Sequence, residues 1–399
     1  MDGSTSTEIR LPAAGGRTET FRLRGPRDYL TATAPAQLTR IAYSAAHVVA
    51  DPRADIDPWL ECAVDWDATL AYRRHLWHLG LGVAEAMDTA QRGMGMDWPA
   101  SLELIRRSVD AAQDFPGALI ASSCGTDQLA PGEARSIDDV IRAYETQMEA
   151  VEAIGGRLIL MASRALATVA RGPGDYEKVY DRLLRQAREP VILHWLGEMF
   201  DPALAGYWGS GNVQSAVDTA LGVMAANAAK VDGIKMSLLD KAIEIAVRRR
   251  LPEGVRMYTG DDFNYAELIA GDDIGDSPNH RHSDALLGIF DAIAPAASAA
   301  LLALARGNPA QFEAILAPTV PLSRHIFRTP TRFYKTGVVF MAWLNGHQQH
   351  FTMVGGQHSA RSLMHLVALF KLADGAGLLL QPELAVARMK TLLALHGAD

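Results

Sequence analysis

The run Val231-Asp232-Gly233-Ile234-Lys235-Met236-Ser237 is short, mostly apolar and of strand type, with one lysine near its C-terminal end. A strand buried on both faces should not hold an unpaired ammonium, because desolvating the charge is costly. Such a lysine is either paired or held partly neutral, and a neutral amine attacks carbonyls. The plain alternative is a side chain that snorkels from the strand end into water. Further polar residues stand at the ends of similar apolar runs: Asp88-Thr89, Thr126-Asp127, Ser163-Arg164, His194-Trp195 and Thr259-Gly260-Asp261-Asp262. Ser237 lies two positions beyond Lys235. Serine and aspartate also cap helices after strands, and that reading stays open for Asp127 and Asp262. Lys235 and His194 are harder to explain as caps.

The elements that must position these groups alternate. Strand-like runs at 41–49, 81–87, 118–122, 157–161, 191–195, 231–236, 255–259 and 285–290 are separated by helical patterns at 66–79, 101–112, 137–154, 176–187, 213–228 and 237–249. This alternation implies right-handed crossovers and a parallel sheet. Eight units fit an α/β fold of the (β/α)8 barrel type, whose chemistry sits at the C-terminal strand ends. A doubly wound open sheet would show a Gly-rich turn after its first strand, where Ala50-Asp51-Pro52-Arg53 stands instead. The expected organisation is an N-terminal extension over 1–38 with a short hairpin, a barrel over 39–308, and a C-terminal helical region over 309–399. The stretch 340–351, rich in aromatic residues and histidine, reads as a helix end packed on the barrel.

Composition narrows the function. A net charge of −8 argues against a nucleic-acid surface and an anionic membrane. The run Arg248-Arg249-Arg250 fits a helix C-terminus, where cations complement the dipole. Two cysteines, Cys62 and Cys124, make neither a disulfide framework nor a zinc site, which accords with a reducing cytoplasm. The first residues hold no apolar signal core, and the longest apolar stretch is too short to span a bilayer.

Five segments in order resemble the dihydrodipicolinate synthase / N-acetylneuraminate lyase family of class I aldolases. Pro190-Val191-Ile192-Leu193-His194-Trp195 is similar to its fifth strand, with His194 in the place of a proton-transferring tyrosine. The Lys235 strand resembles the Schiff-base strand. Tyr258-Thr259-Gly260-Asp261-Asp262 resembles the seventh-strand Ser-Gly-Asp-Asp segment, and the run 285–295 with the helix reaching Arg306-Gly307-Asn308 resembles the eighth unit. Thr329-Pro330-Thr331-Arg332-Phe333-Tyr334-Lys335 is similar to the approach to the family's C-terminal helices. More closely, the chain resembles a divergent bacterial branch of that family.

The resemblance implies imine formation on a small-molecule carbonyl by Lys235, proton shuttling by His194 at a pKa near neutrality, and no cofactor. Asp88, Thr89, Thr126, Arg164, Ser237, Gly260, Asp261 and Asp262 would face the substrate, and a homodimer or homotetramer is implied. The family's Gly-Thr-Thr-Gly-Glu turn, which binds a 2-keto acid carboxylate, is here Met87-Asp88-Thr89-Ala90-Gln91. It has lost both glycines and gained a like charge. The arginine that follows the family tyrosine is replaced by Gly197-Glu198-Met199-Phe200. Pyruvate is thereby disfavoured, and a neutral or sugar-derived carbonyl gains weight. An insertion near 206–212 is expected, and the loops 207–212 and 272–284 are expected to close the mouth. Two other readings stand beside this one. The first is a metal-dependent barrel hydrolase or aldolase built on His280 and His282, with Asp284, His194 and Asp262. The second is a non-catalytic sugar-binding barrel.

Overall fold

The computed structural model describes residues 7–130, 132–272 and 281–398. An antiparallel hairpin of β1 (Glu8–Pro12) and β2 (Thr18–Arg22) precedes eight parallel strands. These are β3 (Ala42–Ala45), β4 (Gly82–Glu85), β5 (Ile120–Cys124), β6 (Leu158–Leu160), β7 (Val191–Leu196), β8 (Val231–Ser237), β9 (Arg256–Thr259) and β10 (Asp284–Leu287). They close in sequence order into a barrel, with β10 pairing both β9 and β3. Its interior is filled by residues that include Tyr43, Ala84, Ile159, Met161, Tyr258 and Leu286. A larger apolar layer lies between the strands and the surrounding helices.

All eight strands fall inside the expected runs, apart from a few end residues, and the differences at their ends have local causes. The first run leaves the sheet after Ala45, because the backbone N–H and Nδ1 of His47 are both drawn to the Asp291 carboxylate, at 2.7 and 2.8 Å. The helix expected from Ser237 starts instead at Lys241. Asp240 caps it by accepting from the N–H groups of Ala242 and Ile243, and Ser237 stays in β8 opposite Leu196. Among the described residues, no helix is long and apolar enough to cross a membrane.

After a short turn of helix at Ile289–Ala292, the barrel is followed by the helices Ala294–Ala305, Pro309–Leu316, Thr319–Ile326, Tyr334–Leu344, Leu363–Gly375 and Pro382–Leu395. Every residue of Tyr334–Leu344 is buried, so this helix fills a core and does not coat a surface. Phe340, Trp343 and Phe351 stack together at its end, which is the packing role expected of that stretch. The N-terminal segment docks on the same region. Arg24 donates its N–H to the Asp374 carboxylate at 2.9 Å, and Phe21 meets Phe370 edge-on.

One buried ion pair ties the first barrel helix, Trp66–His78, to the sheet. Arg73 grips Glu85 at the end of β4 through two bonds of 2.8 and 3.0 Å, with both side chains inaccessible to water. Arg73 also donates to the carbonyl of His47. Removing one partner leaves a dry, uncompensated charge. Arg73→Met should therefore lose about 3–5 kcal/mol of stability, and Arg73→Met/Glu85→Leu should regain most of it. Urea unfolding of the three proteins checks this, and a single variant as stable as wild type would remove the pair from the account.

Candidate active site

Lys235 sits in the C-terminal half of β8, in register with His194 on β7 and Tyr258 on β9. It is 6% exposed. Among the described residues no carboxylate oxygen comes within ion-pairing distance of its amine, 4.0 Å. Burial pushes its pKa down from the ordinary lysine value, while the charges of Asp88 and Asp262 pull it back up. Asp262, itself fully buried, is pushed up chiefly by desolvation, against the N–H of Ile289 at 2.9 Å and the Lys235 charge. Amine and carboxyl thus compete for a proton as one coupled pair.

Gly260 makes room for this arrangement. A Cβ there would overlap the Ser237 hydroxyl and stand 2.9 Å from Lys235 Cε. The Ser237 hydroxyl lies 3.3 Å from His194 Nε2, and Met161 Sδ lies 3.3 Å from His194 Nδ1. The expectation of a near-neutral pKa for His194 does not hold. Complete burial, with the Lys235 charge second, drives it well below the usual histidine range. The ring is a neutral imidazole.

Sequence reasoning missed Tyr334. It enters from the C-terminal helix Tyr334–Leu344, and its hydroxyl hydrogen-bonds Thr89 Oγ1 at 2.8 Å, fully buried. Both groups rest on Gly288, the residue after β10. A Cβ at that position would meet the Tyr334 ring at 3.2 Å and Thr89 Oγ1 at 3.3 Å. Because Ile289 holds Asp262, the hydroxyl pair and the carboxyl share one seat. Lys335 follows as a second buried amine. Its Nζ reaches the Arg332 carbonyl at 3.0 Å and Met94 Sδ at 3.3 Å, and burial pushes its pKa down to about 8. The available signal was a Tyr-Lys pair opening an otherwise apolar helical run.

A cleft of about 160 Å³ opens beside this cluster, lined by Asp88, Arg92, Thr126, Met161, Arg164 and Asp201 among others. Lys235 and His194 do not line it directly. Two lining residues act on them: Asp88 through its charge on Lys235, and Met161 through its contact with His194. Arg164 binds Asp201 at 2.5 Å, and Thr126 Oγ1 meets Ser163 Oγ at 2.6 Å. Asp127 is not a helix cap; it pairs with Arg92 at 2.6 Å. Asp261 makes a turn, accepting from the N–H groups of Phe263 and Asn264, so its oxygens are engaged there.

The metal reading loses its geometry. His280 lies outside the described residues. His282 precedes β10 and so stands at the barrel's N-terminal rim, away from Lys235. Burial and the charges of Arg40, Arg248 and Arg256 push its pKa down to about 4, surroundings that also repel a cation. Among the described residues no group of three His, Cys, Asp or Glu could hold a metal ion. The described ends of the 272–284 loop lie at that same rim, where Asp272 donates its N–H to the Arg281 carbonyl. They do not close the mouth. The 207–212 loop does follow β7 on the mouth side, pinned by the buried Trp208 stacked on Tyr180.

A family described as "Protein of unknown function (DUF993)" matches residues 9–398. The chain belongs to that family. Solved structures place the family's fold among the dihydrodipicolinate synthase barrels, as the sequence resemblance implied. The Aquifex aeolicus dihydrodipicolinate synthase superposes with a TM-score of 0.63 at 11% identity, covering 86% of this chain and 99% of that one. The 4-hydroxy-tetrahydrodipicolinate synthase of Methylacidiphilum fumariolicum SolV gives 0.61 at 13% identity, covering 88% and 99%. The Acinetobacter baumannii dihydrodipicolinate synthase, complexed with pyruvate, gives 0.60 at 15% identity, covering 85% and 99%. No curated protein matches the sequence. Identities this low speak for the family's fold alone.

Because Gly260 gives way to Lys235, Gly260→Ala should displace the amine and cost about 1–3 kcal/mol of stability, the usual range for overpacking. Unfolding measurements and the rate of covalent modification of Lys235 should change together. A stable variant with an unchanged Lys235 rate would contradict this packing.

Proposed function

We propose that this chain is a Schiff-base-forming lyase or aldolase that acts on a sugar-derived or keto carbonyl through Lys235. The observation that carries the reading is a buried amine, unpaired among the described residues, in the C-terminal half of a barrel strand, with its pKa lowered by burial. The dihydrodipicolinate synthase fold of the neighbours supports it. Neutral Lys235 adds to the carbonyl carbon, and the carbinolamine loses water to give an iminium ion. That cation takes up the electrons of the Cα–Cβ bond as the β-hydroxyl gives its proton to a base, or it loses an α-proton to form an enamine that expels a protonated β-hydroxyl as water. Asp262 acts on the amine through its charge and sets how tightly Lys235 holds its proton. The neutral imidazole of His194 accepts and returns a proton, with Ser237 as its hydroxyl contact. The Thr89–Tyr334 pair offers a second hydroxyl route for protons. As in the resemblance, we propose a cytoplasmic homodimer or homotetramer that needs no cofactor.

Borohydride reduction with a panel of 2-keto acids, ketoses and keto-sugar derivatives, read by intact-protein mass spectrometry, tests the assignment. Wild type and Lys335→Arg should gain an adduct that maps to Lys235, whereas Lys235→Arg should gain none. Turnover that survives in Lys235→Arg would end the proposal.

The pH dependence has a defined sign. Trapping requires the neutral amine, so it rises with pH through a midpoint below the ordinary lysine value. The negative charge of Asp262 favours the ammonium, so Asp262→Asn should move that midpoint to still lower pH. A shift to higher pH would separate Asp262 from the lysine. Tyr334→Phe keeps the ring packing and removes the hydroxyl. It should slow turnover by about 10²-fold or more with the fold intact, as loss of a proton-transferring group does. An unchanged rate would restrict Tyr334 to packing.

A further inference from the structure

The cleft lining holds charges of both signs with unequal freedom. Asp88, half-buried, is the carboxylate whose charge acts most on Lys235, and it accepts no hydrogen bond among the described residues. Two buried lysines, Lys235 and Lys335, feel its charge, yet neither closes an ion pair with it. Two arginines share that lining, and Arg164 follows β6, which β7 separates from the Lys235 strand. Arg92 is consumed: it donates to both oxygens of Asp127, to Gln147 and to Ser123. Arg164 is not. Only its Nε is engaged, by Asp201, and both terminal nitrogens are without a partner among the described residues. Its side chain is 46% exposed, and Nη1 passes 3.9 Å from where a Cβ on Gly93 would stand, above a cleft-lining backbone.

This asymmetry bears on the substrate. A carboxylate directly beside the reacting carbonyl would meet Asp88 and be repelled. A hydroxyl in that place would be held, since an unpaired carboxylate is a strong acceptor. Arginine presents a planar fork that suits a carboxylate or a phosphate, and it stays charged at every working pH. An anion is thus favoured at Arg164 and disfavoured beside Asp88.

Resting on the imine reading of Lys235, we infer that the cleft takes a hydroxylated carbonyl compound with an anionic group remote from the carbonyl. Asp88 accepts a substrate hydroxyl next to the reacting carbon. Arg164 binds the anion, a phosphate monoester or a carboxylate, through the nitrogens that Asp201 leaves free. Asp201 fixes the guanidinium from the loop after β7 and serves as a positioning residue.

Matched probes test this. Dihydroxyacetone is paired with dihydroxyacetone phosphate, and fructose with fructose 6-phosphate. 5-Ketogluconate supplies a remote carboxylate, and pyruvate an adjacent one. Each is titrated into borohydride trapping of wild type, Arg164→Gln and Arg164→Lys. The phosphate should half-saturate Lys235 at about tenfold lower concentration than its neutral partner, the scale of one charge-assisted pair. That ratio should collapse towards one in Arg164→Gln and survive in part in Arg164→Lys. The relative rank of 5-ketogluconate and fructose 6-phosphate identifies the anion, and pyruvate should trail both. Equal half-saturation of charged and neutral partners, or a ratio untouched in Arg164→Gln, overturns the inference while the imine stands. If no compound forms an adduct, the imine reading fails instead. Calorimetry of the same pairs with unreduced protein then decides the rest: an Arg164-dependent preference for the anion upholds the inference, and no preference overturns it.

Discussion

A buried lysine amine, without a salt bridge among the described residues, is the constraint from which the rest of the site follows. Its desolvation is unfavourable in the resting protein, and an ion pair would relieve that at the expense of a nucleophile. The structure keeps both nearby carboxylates at a distance. Asp262 is turned onto the backbone of Ile289, and Asp88 stands at the cleft. Gly260 clears the space through which the side chain passes, and the Ser237 hydroxyl and neutral His194 surround it with groups that add no competing charge. Each neighbour is polar enough to handle protons, and none neutralises the amine permanently.

The barrel was legible in the sequence because parallel strands buried on both faces read as apolar runs, and these recur at the spacing that crossover helices need. Lys235 stood out for the same reason, as a charge where the pattern forbids one. Ends of elements were less legible. Ser237 reads as a helix start until Asp240 is seen capping three residues later, and His47 reads as strand until Asp291, far along the chain, pulls it away. The least legible residue was Tyr334, because nothing local distinguishes a tyrosine that packs from one whose hydroxyl crosses to Thr89. His194 shows the limit from the other side. Its position was readable, but its protonation depends on complete burial and on a charge from the adjacent strand, neither of which a single run displays.

The departures from the resembled motif gain a common sense in three dimensions. Asp88 stands where the resembled turn has a threonine, Met87 and Ala90 where it has glycines, and the same aspartate lines the cleft. The loop after β7 supplies Asp201 and Leu204 to the cleft wall, and Trp208 fixes that loop against Tyr180 and Trp195. The cleft wall is built mostly by segments outside the strands, while the strands carry the amine.

Tyr334 and Lys335 have a temporal consequence. The hydroxyl that meets Thr89 and the second buried amine both belong to a helix that follows all eight strands. During synthesis the barrel strands emerge first, with Lys235 already in sequence, but the pocket around Thr89 stays open to water until that helix has left the ribosome and docked. A nascent chain therefore carries Lys235 for about a hundred residues of translation, roughly 5–20 s at usual elongation rates, before the helix that covers Thr89 has been made.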